Sequence, residues 1–447
     1  MRGSFDSNPL KGVEWSLAYL AFCVYIFCIV SYRLPLGTVS MAVALLTVPM
    51  EKTGIRLPPI VALTFGLVGW AVIGVGTSSY PDIVLESVQE FAKLAAVVFV
   101  AVNVLVTRAR IRFFLVMSTV TYCLFPVRGT MLAYFVYHGD MNGRATWNYI
   151  YSNPNDLAGL MMLSLSVALG VLAVERKKWV RLGSAVGAGL MVLIVFLTQS
   201  RGAMIALIAF GLFGARKFLA DVRRIALIVV VGIAVVAVSP DAVWRRFSTI
   251  SMATEAQNTD LLDPDLEDLA TRQDQGSSVQ RLEIWKVAMS IIADNPITGV
   301  GMGAYPEAHF KRAVPPRFNW IARGHRDTHS TYLNLMAEMG LVGFGIFATM
   351  IVLTMRKAFR VRKLIQAKFP AGALQLFNLQ LGLFGFLVAA IWGTYWQFIA
   401  TYVHIVVINM VAEQLERDNE AGAPQFVRRG GMARRMPPAA DAARASA

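Results

Sequence analysis

His329 lies at the start of a long apolar run, in Asp327-Thr328-His329-Ser330-Thr331. A helix beginning there turns its positive end toward the imidazole. That keeps the ring neutral and able to accept a proton. Arginines stand where a charge is costly or held at fixed depth. Arg201 lies in Thr198-Gln199-Ser200-Arg201-Gly202, a connection between apolar runs too short to be a free loop. Arg281 begins an amphipathic stretch, 280–293, in which Leu282, Trp285, Ala288, Met289 and Ile292 recur at helical spacing. Arg128 falls inside an apolar run, and burying a charge in a span costs about 2.5–3.5 kcal/mol on insertion scales, so such a side chain faces a cavity or a partner. Together with Arg144 these are fixed cations near one membrane surface. Guanidinium groups hold phosphate oxygens in pairs, so the set suits a di- or tri-anionic lipid head group. The plainer alternative is snorkelling and salt bridges.

Other residues invite rival chemistry. His325 and His329 are spaced i,i+4, as a metal pair would be, but no cysteine or HExxH companion accompanies them, and no metal or other cofactor is expected. Glu338 lies two turns into the run that His329 opens, about 13 Å down the helix. A carboxylate at that depth orients a partner arginine or serves packing. Gly299, Gly301 and Gly303 imitate a nucleotide loop, but no strand precedes them. A tight turn with close backbone approach is the better reading. Cys23, Cys28 and Cys123 all fall inside apolar runs and read as small core residues.

The elements that must position these residues are membrane spans. The chain has 447 residues, is 56% hydrophobic and is 16% charged, which excludes an ordinary soluble domain. Twelve apolar runs are placed near 15–30, 36–50, 58–75, 83–106, 113–137, 156–174, 182–198, 203–219, 225–238, 330–355, 374–391 and 397–415. The connections after the even-numbered runs up to the tenth, counted with Arg216 and Lys217 at the end of the eighth, carry nineteen lysines and arginines. The short odd-numbered ones carry only Arg33, Arg144 and Arg201. That asymmetry places both termini in the cytoplasm. It also accounts for most of the +14 net charge, leaving no basic soluble domain to bind nucleic acid. The first run lacks a small-residue cleavage site and reads as a retained span. The expected organisation is all-α: nine spans in 1–238, one large outer loop in 239–329, three spans in 330–415 and a basic, disordered tail in 416–447. Within the outer loop, 251–278 is polar and acidic and reads as a mobile loop, and the amphipathic stretch follows it.

The stretch from Arg281 to Phe347 resembles the Wzy_C superfamily of O-antigen ligases and polysaccharide polymerases. The matching pieces are Arg281-Leu-Glu-Ile-Trp285, Asp294-Asn295-Pro296 followed by ITGVGMG, and the run HSTYLNLMAEMGLVGFG from His329. Upstream, NPNDLAG from Asn153 and TQSRGA from Thr198 match the same family. The resemblance implies a metal-independent, inverting glycosyltransferase of the GT-C type. Its donor would be a glycan on undecaprenyl pyrophosphate. Its acceptor, for a ligase, would be a sugar hydroxyl of the lipid A–core. By motif match, Arg201 and Arg281 bind the pyrophosphate and His329 activates the acceptor. Arg128 and Arg144 are further candidates for the pyrophosphate, with Asn155, His325 and Glu338 as secondary site residues. The chain departs from the pattern at Ser330, where many relatives have Asn, and in its long acidic loop.

Such chemistry asks for a membrane-level cavity beneath an amphipathic lid. Trp147, Tyr149, Tyr151, Trp392, Tyr395 and Trp396 either stack on sugars or form an interfacial belt, the belt being the simpler reading. Several rivals remain. A polymerase uses the same donor with a second lipid-linked glycan as acceptor, and a protein O-oligosaccharyltransferase transfers to Ser or Thr. A transporter would instead show related halves and broken helices meeting at mid-membrane.

Overall fold

The structure is a computed structural model and describes residues 12–32, 34–141, 143–148, 151–218, 269–314 and 317–421. Span 225–238, most of the acidic loop 251–278, the tail from 422, Arg33 and Tyr149 lie outside the described residues. The described elements are helices: α1 (Leu17–Ser31), α2 (Gly37–Thr47), α3 (Pro59–Thr77), α4 (Pro81–Val104), α5 (Arg108–Tyr122), α6 (Arg128–Phe135), α7 (Pro154–Val174), α8 (Lys178–Leu197), α9 (Arg201–Phe218), α10 (Leu269–Asp294), α11 (Tyr305–Arg312), α12 (Thr331–Ile365), α13 (Pro370–Ala389) and α14 (Ile399–Glu420). Among the described residues, six helical segments are long and apolar enough to cross a membrane: α3, α5 with α6, α7, α8, α12 and α13. Three further apolar helices, α1, α2 and α9, are shorter.

Local sequence explains where the helices begin. Thr107 caps α5 by accepting from the Arg110 amide, and Asn153 caps α7 by accepting from the Asn155 amide. Proline starts α3, α4, α7 and α13, where its missing N–H costs nothing. Pro126 inside an apolar run produces a π-turn, Cys123–Val127, between α5 and α6.

Helices α7 and α13 form the centre. They pack on one another, α7 also against α8 and α5, and α13 against α9, α12 and α14. Apolar faces do not drive helices together in lipid, so close packing of small residues matters. Gly382 of α13 fits against Ser166 of α7, where an added Cβ would overlap the serine side chain.

The basic end of this bundle is tied by ion pairs. Arg112 at the start of α5 donates twice to Glu175 just beyond α7, at 2.9 and 2.7 Å. Arg110 pairs with buried Glu51 at 3.0 Å, and Arg108 with Asp418 near the end of α14 at 3.2 Å. Several arginines counted for sidedness thus also fasten helix ends. The 21 residues of α7 rise about 30 Å, one hydrocarbon thickness, from Asn155 to this basic end.

Candidate active site

At the opposite end of α7 and α13, several helix ends meet. Tyr395, in the turn between α13 and α14, is the connecting side chain. Its hydroxyl donates to the Asn155 carbonyl at 2.9 Å, and its amide donates to Thr331 Oγ1 at 2.8 Å. Asn155 Oδ1 accepts from Arg144 Nη2 at 3.1 Å, and Arg144 Nε donates to the Thr198 carbonyl at 2.9 Å. A single chain of hydrogen bonds thus runs from the α8–α9 hairpin through Arg144, Asn155 and Tyr395 to the start of α12, two residues from His329.

Thr198, Gln199 and Ser200 of that hairpin are buried, and Gln199 is left-handed at φ 50°. Gln199 Nε2 donates to the Gly143 carbonyl at 2.8 Å. Arg201 follows as the first residue of α9, with Gly202 packed on Trp392. Arg201 therefore follows directly on a tightly packed hairpin.

His329 precedes the helix rather than beginning it: Ser330 is the N-cap of α12. Its backbone is left-handed at φ 49°, a conformation kept by a non-glycine residue only when its surroundings enforce it. Asp327 does much of this. Its Oδ2 accepts from the His329 amide at 3.1 Å and from Thr394 Oγ1 at 2.7 Å, and lies 3.4 Å from His329 Nδ1. From the other side, Trp285 of α10 donates to the Thr328 carbonyl at 2.8 Å. The ring is left with Nε2 to offer.

Burial lowers the His329 pKa below the usual histidine value. Arg281 and Arg326 push in the same direction, and Asp327 opposes them. Burial thus favours the neutral ring, a cause additional to the helix end. The charge of Arg281 is also felt at Tyr395, together with those of Arg144, Asp156 and Asp327, while burial pushes the phenol well up and keeps it a neutral donor. Arg281, Arg144, Asn155 and His329 are thus brought into one neighbourhood. Among the described residues no hydrogen bond or ion pair links Arg128 to it, and that side chain is exposed just past the π-turn.

Two expectations need correction. Arg281 lies in the middle of α10, which begins at Leu269. The inward stripe of α10 is Ile284, Val287, Ala288 and Ile291, while Leu282 and Met289 are exposed. The apolar residues of α10 thus form two stripes, one buried and one exposed. Tyr151, Tyr395 and Trp396 are buried core residues, not an interfacial belt, because each has found packing or polar partners within the bundle.

The secondary candidates are placed as follows. Glu338 is buried, and its Oε1 accepts from Asn334 at 3.3 Å, whose Oδ1 accepts from Trp396 at 2.6 Å. It braces α12, and among the described residues no arginine pairs with it. His325 stacks on Phe310 at 4.3 Å and lies 3.0 Å from Glu307, away from the partner of His329. No group of three or more His, Cys, Asp or Glu assembles among the described residues.

The glycine loop behaves as a close-approach turn. Val300 and Gly301 amides donate to the Ala337 and Glu338 carbonyls at 2.8 and 2.9 Å, where α12 breaks at Gly340 (φ 63°). A Cβ at Gly340 would overlap the Ile297 carbonyl. A cavity of about 70 Å³, lined by residues including Tyr32, Tyr122, Tyr151, Ile399, Val403 and His404, opens among α1, α5, α7 and α14.

Sequence reasoning missed Asp327, Arg326 and the pivotal role of Tyr395. The signal for Asp327 was its place two residues before His329, where a carboxylate closes an Asx turn.

Fold and site together define a helical, membrane-spanning protein with a histidine and several arginines gathered at one end of the bundle. Residues 186–348 match the family model described as O-antigen ligase, Wzy_C, the family that the motifs resemble. That segment holds Arg201, Arg281, His325, His329 and Glu338, while Arg128, Arg144 and Asn155 precede it. The comparison with curated proteins gave no match.

Proposed function

We propose that the chain is an O-antigen ligase. It transfers a polysaccharide from undecaprenyl pyrophosphate to a sugar hydroxyl of lipid A–core at the periplasmic face of the inner membrane. The observation that carries this is His329, kept neutral by burial and held in a left-handed turn by Asp327, with the Arg281 charge beside it, inside the segment that matches the family.

In the reaction, His329 Nε2 takes the proton of the acceptor hydroxyl as that oxygen forms its bond to the anomeric carbon. The bond from that carbon to the pyrophosphate oxygen breaks on the opposite side, which inverts the centre. Undecaprenyl pyrophosphate leaves with the electron pair. Its growing negative charge is met by Arg281 and Arg201, with Arg144 behind them, so no general acid is required. Asp327 orients the ring and stabilises the imidazolium that forms. No metal enters this scheme.

Twelve spans, the GT-C architecture, cytoplasmic termini and the division at 238, 329 and 415 belong to this reading. Its support is the separation of the basic helix ends from the site by the length of α7. The test is donor use by Arg281→Ala and Arg201→Ala proteins. The expected result is a raised KM for the lipid-linked donor, and unchanged donor kinetics would remove both residues from the site. A polymerase shares every residue named here. It is distinguished by product, since its lipid-linked donor grows longer.

A further inference from the structure

The segment between α10 and α12 runs against the charge asymmetry of the rest of the chain. Residues 311–326 carry Lys311, Arg312, Arg317, Arg323 and Arg326, yet they lie at the same end of the bundle as His329. Carboxylates of the described residues neutralise little of this charge. In the described stretch 280–314 and 317–329 there are four acidic residues, Glu283, Asp294, Glu307 and Asp327. They pair with Lys286, Arg312, His325 and His329 respectively. Among the described residues no ion pair joins a carboxylate to Arg317, Arg323 or Arg326, all three of which are exposed. Arg317 lies over the Phe318 ring at 5.7 Å, and Arg326 Nε donates only to the Arg323 carbonyl, at 3.0 Å.

Trp320, 74% exposed, stands between Arg317 and Arg323. Trp320 opens the short 3₁₀ turn Trp320–Ala322, which is pinned to α10, where Gln280 Nε2 donates to the Ile321 carbonyl at 3.2 Å, one residue from Arg281. The surface is therefore continuous with the site, and the Arg326 charge is already felt at His329. Exposed guanidinium groups bind phosphate and carboxylate in pairs, and an exposed indole offers its face to a sugar ring.

We propose that Arg317, Arg323 and Arg326, with Trp320, form the acceptor-recognition surface, and that they select an acceptor saccharide carrying phosphate or carboxylate groups close to the hydroxyl that reacts. This rests on the transferase reading above and adds to it the charge of the acceptor and the residues that read it. Such a surface also draws its acceptor in from solution, so its effect weakens with salt.

The experiment uses the full-length protein in nanodiscs of fixed lipid composition. The probes are lipid A–core and the same acceptor after its phosphates are removed, each with wild type and with an Arg317→Gln/Arg323→Gln double variant. Losing charge-assisted contacts should raise the acceptor KM roughly tenfold or more. This is expected either when the acceptor is dephosphorylated or when the arginines are replaced. Doing both should add little, and the donor KM should stay put. Equal use of charged and dephosphorylated acceptor by the wild type would overturn the proposal. So would a loss in the variant that follows the anionic lipid content of the nanodisc rather than the acceptor. Binding of the delipidated core oligosaccharide, phosphorylated and dephosphorylated, is measured alongside by calorimetry. Charge-selective binding without any glycan transfer would sink the transferase reading while leaving the surface in place, and equal binding of the two forms would sink the surface.

Discussion

In the proposed reaction His329 is the residue on which the chemistry turns, and its surroundings give it a testable signature. Replacing a general base typically costs about 10²–10⁴-fold in rate, so His329→Ala is expected to lose that much transfer while donor binding stays. Only the neutral ring accepts a proton. The rate should therefore hold at neutral pH and fall as the ring protonates, with its inflection below the usual histidine value of 6.5 because burial, Arg281 and Arg326 lower it. Two variants should move that inflection in opposite directions. Asp327→Asn removes the charge that favours imidazolium and shifts the profile to lower pH. Arg326→Gln removes a charge that disfavours it and shifts the profile up. Transfer rate against pH for the three proteins checks this, and profiles that coincide would take the titrating histidine out of the chemistry. At this scale His329, Arg281, Arg144 and Asn155 were legible, because a charge or a polar motif beside an apolar run stands out in a sequence. Asp327 and Tyr395 were not: what they do depends on partners such as Thr394, Thr331 and Asn155, which only the fold brings to them.

The elements hold the site through two devices. One is the break in α12 at Gly340, into which the glycine loop is stitched by the Val300 and Gly301 amides. Gly340→Ala should destabilise the protein by roughly 1–3 kcal/mol or more, since the backbone is left-handed there and the methyl group meets the Ile297 carbonyl. Thermal unfolding in detergent measures the loss. The other device is Trp285, whose indole N–H anchors the His329 turn to α10. Trp285→Phe keeps the apolar volume and removes about 0.5–1.5 kcal/mol of hydrogen bonding. It should lower the transfer rate more than it lowers the unfolding temperature. The existence of α10 and its end at Asp294 were readable from periodicity and from Asn295-Pro296. Its inward face was not, because Leu282 and Met289 make an outward apolar stripe as convincing as the inward one, and only packing against Tyr305 and Ala322 decides between them.

The whole molecule places its fixed charge at two levels one helix length apart. The ion-paired ends around Glu51, Glu175 and Asp418 mark one surface, and the ring from Arg144 to His329 marks the other. The proposed orientation, with both termini cytoplasmic, predicts that a cysteine at exposed Leu282 reacts with an impermeant maleimide in intact cells, and one at Lys368 only after permeabilisation. The reverse pattern would invert the orientation. Transfer should survive chelation by EDTA, and its loss would return His325 and His329 to consideration as a metal pair. Membrane class and helical content were legible because hydropathy works at the length of a span. The break at Gly340 and the buried aromatics around Tyr395 were hidden, because close backbone approach and interhelical packing leave no periodic trace. The central claim is tested most directly by a reconstituted assay with purified protein, undecaprenyl-pyrophosphate-linked O-antigen and lipid A–core, wild type beside His329→Ala. Glycan appearing on lipid A–core with the wild type alone is the predicted result. A donor that lengthens, or two lipids that come through covalently unchanged, would contradict it.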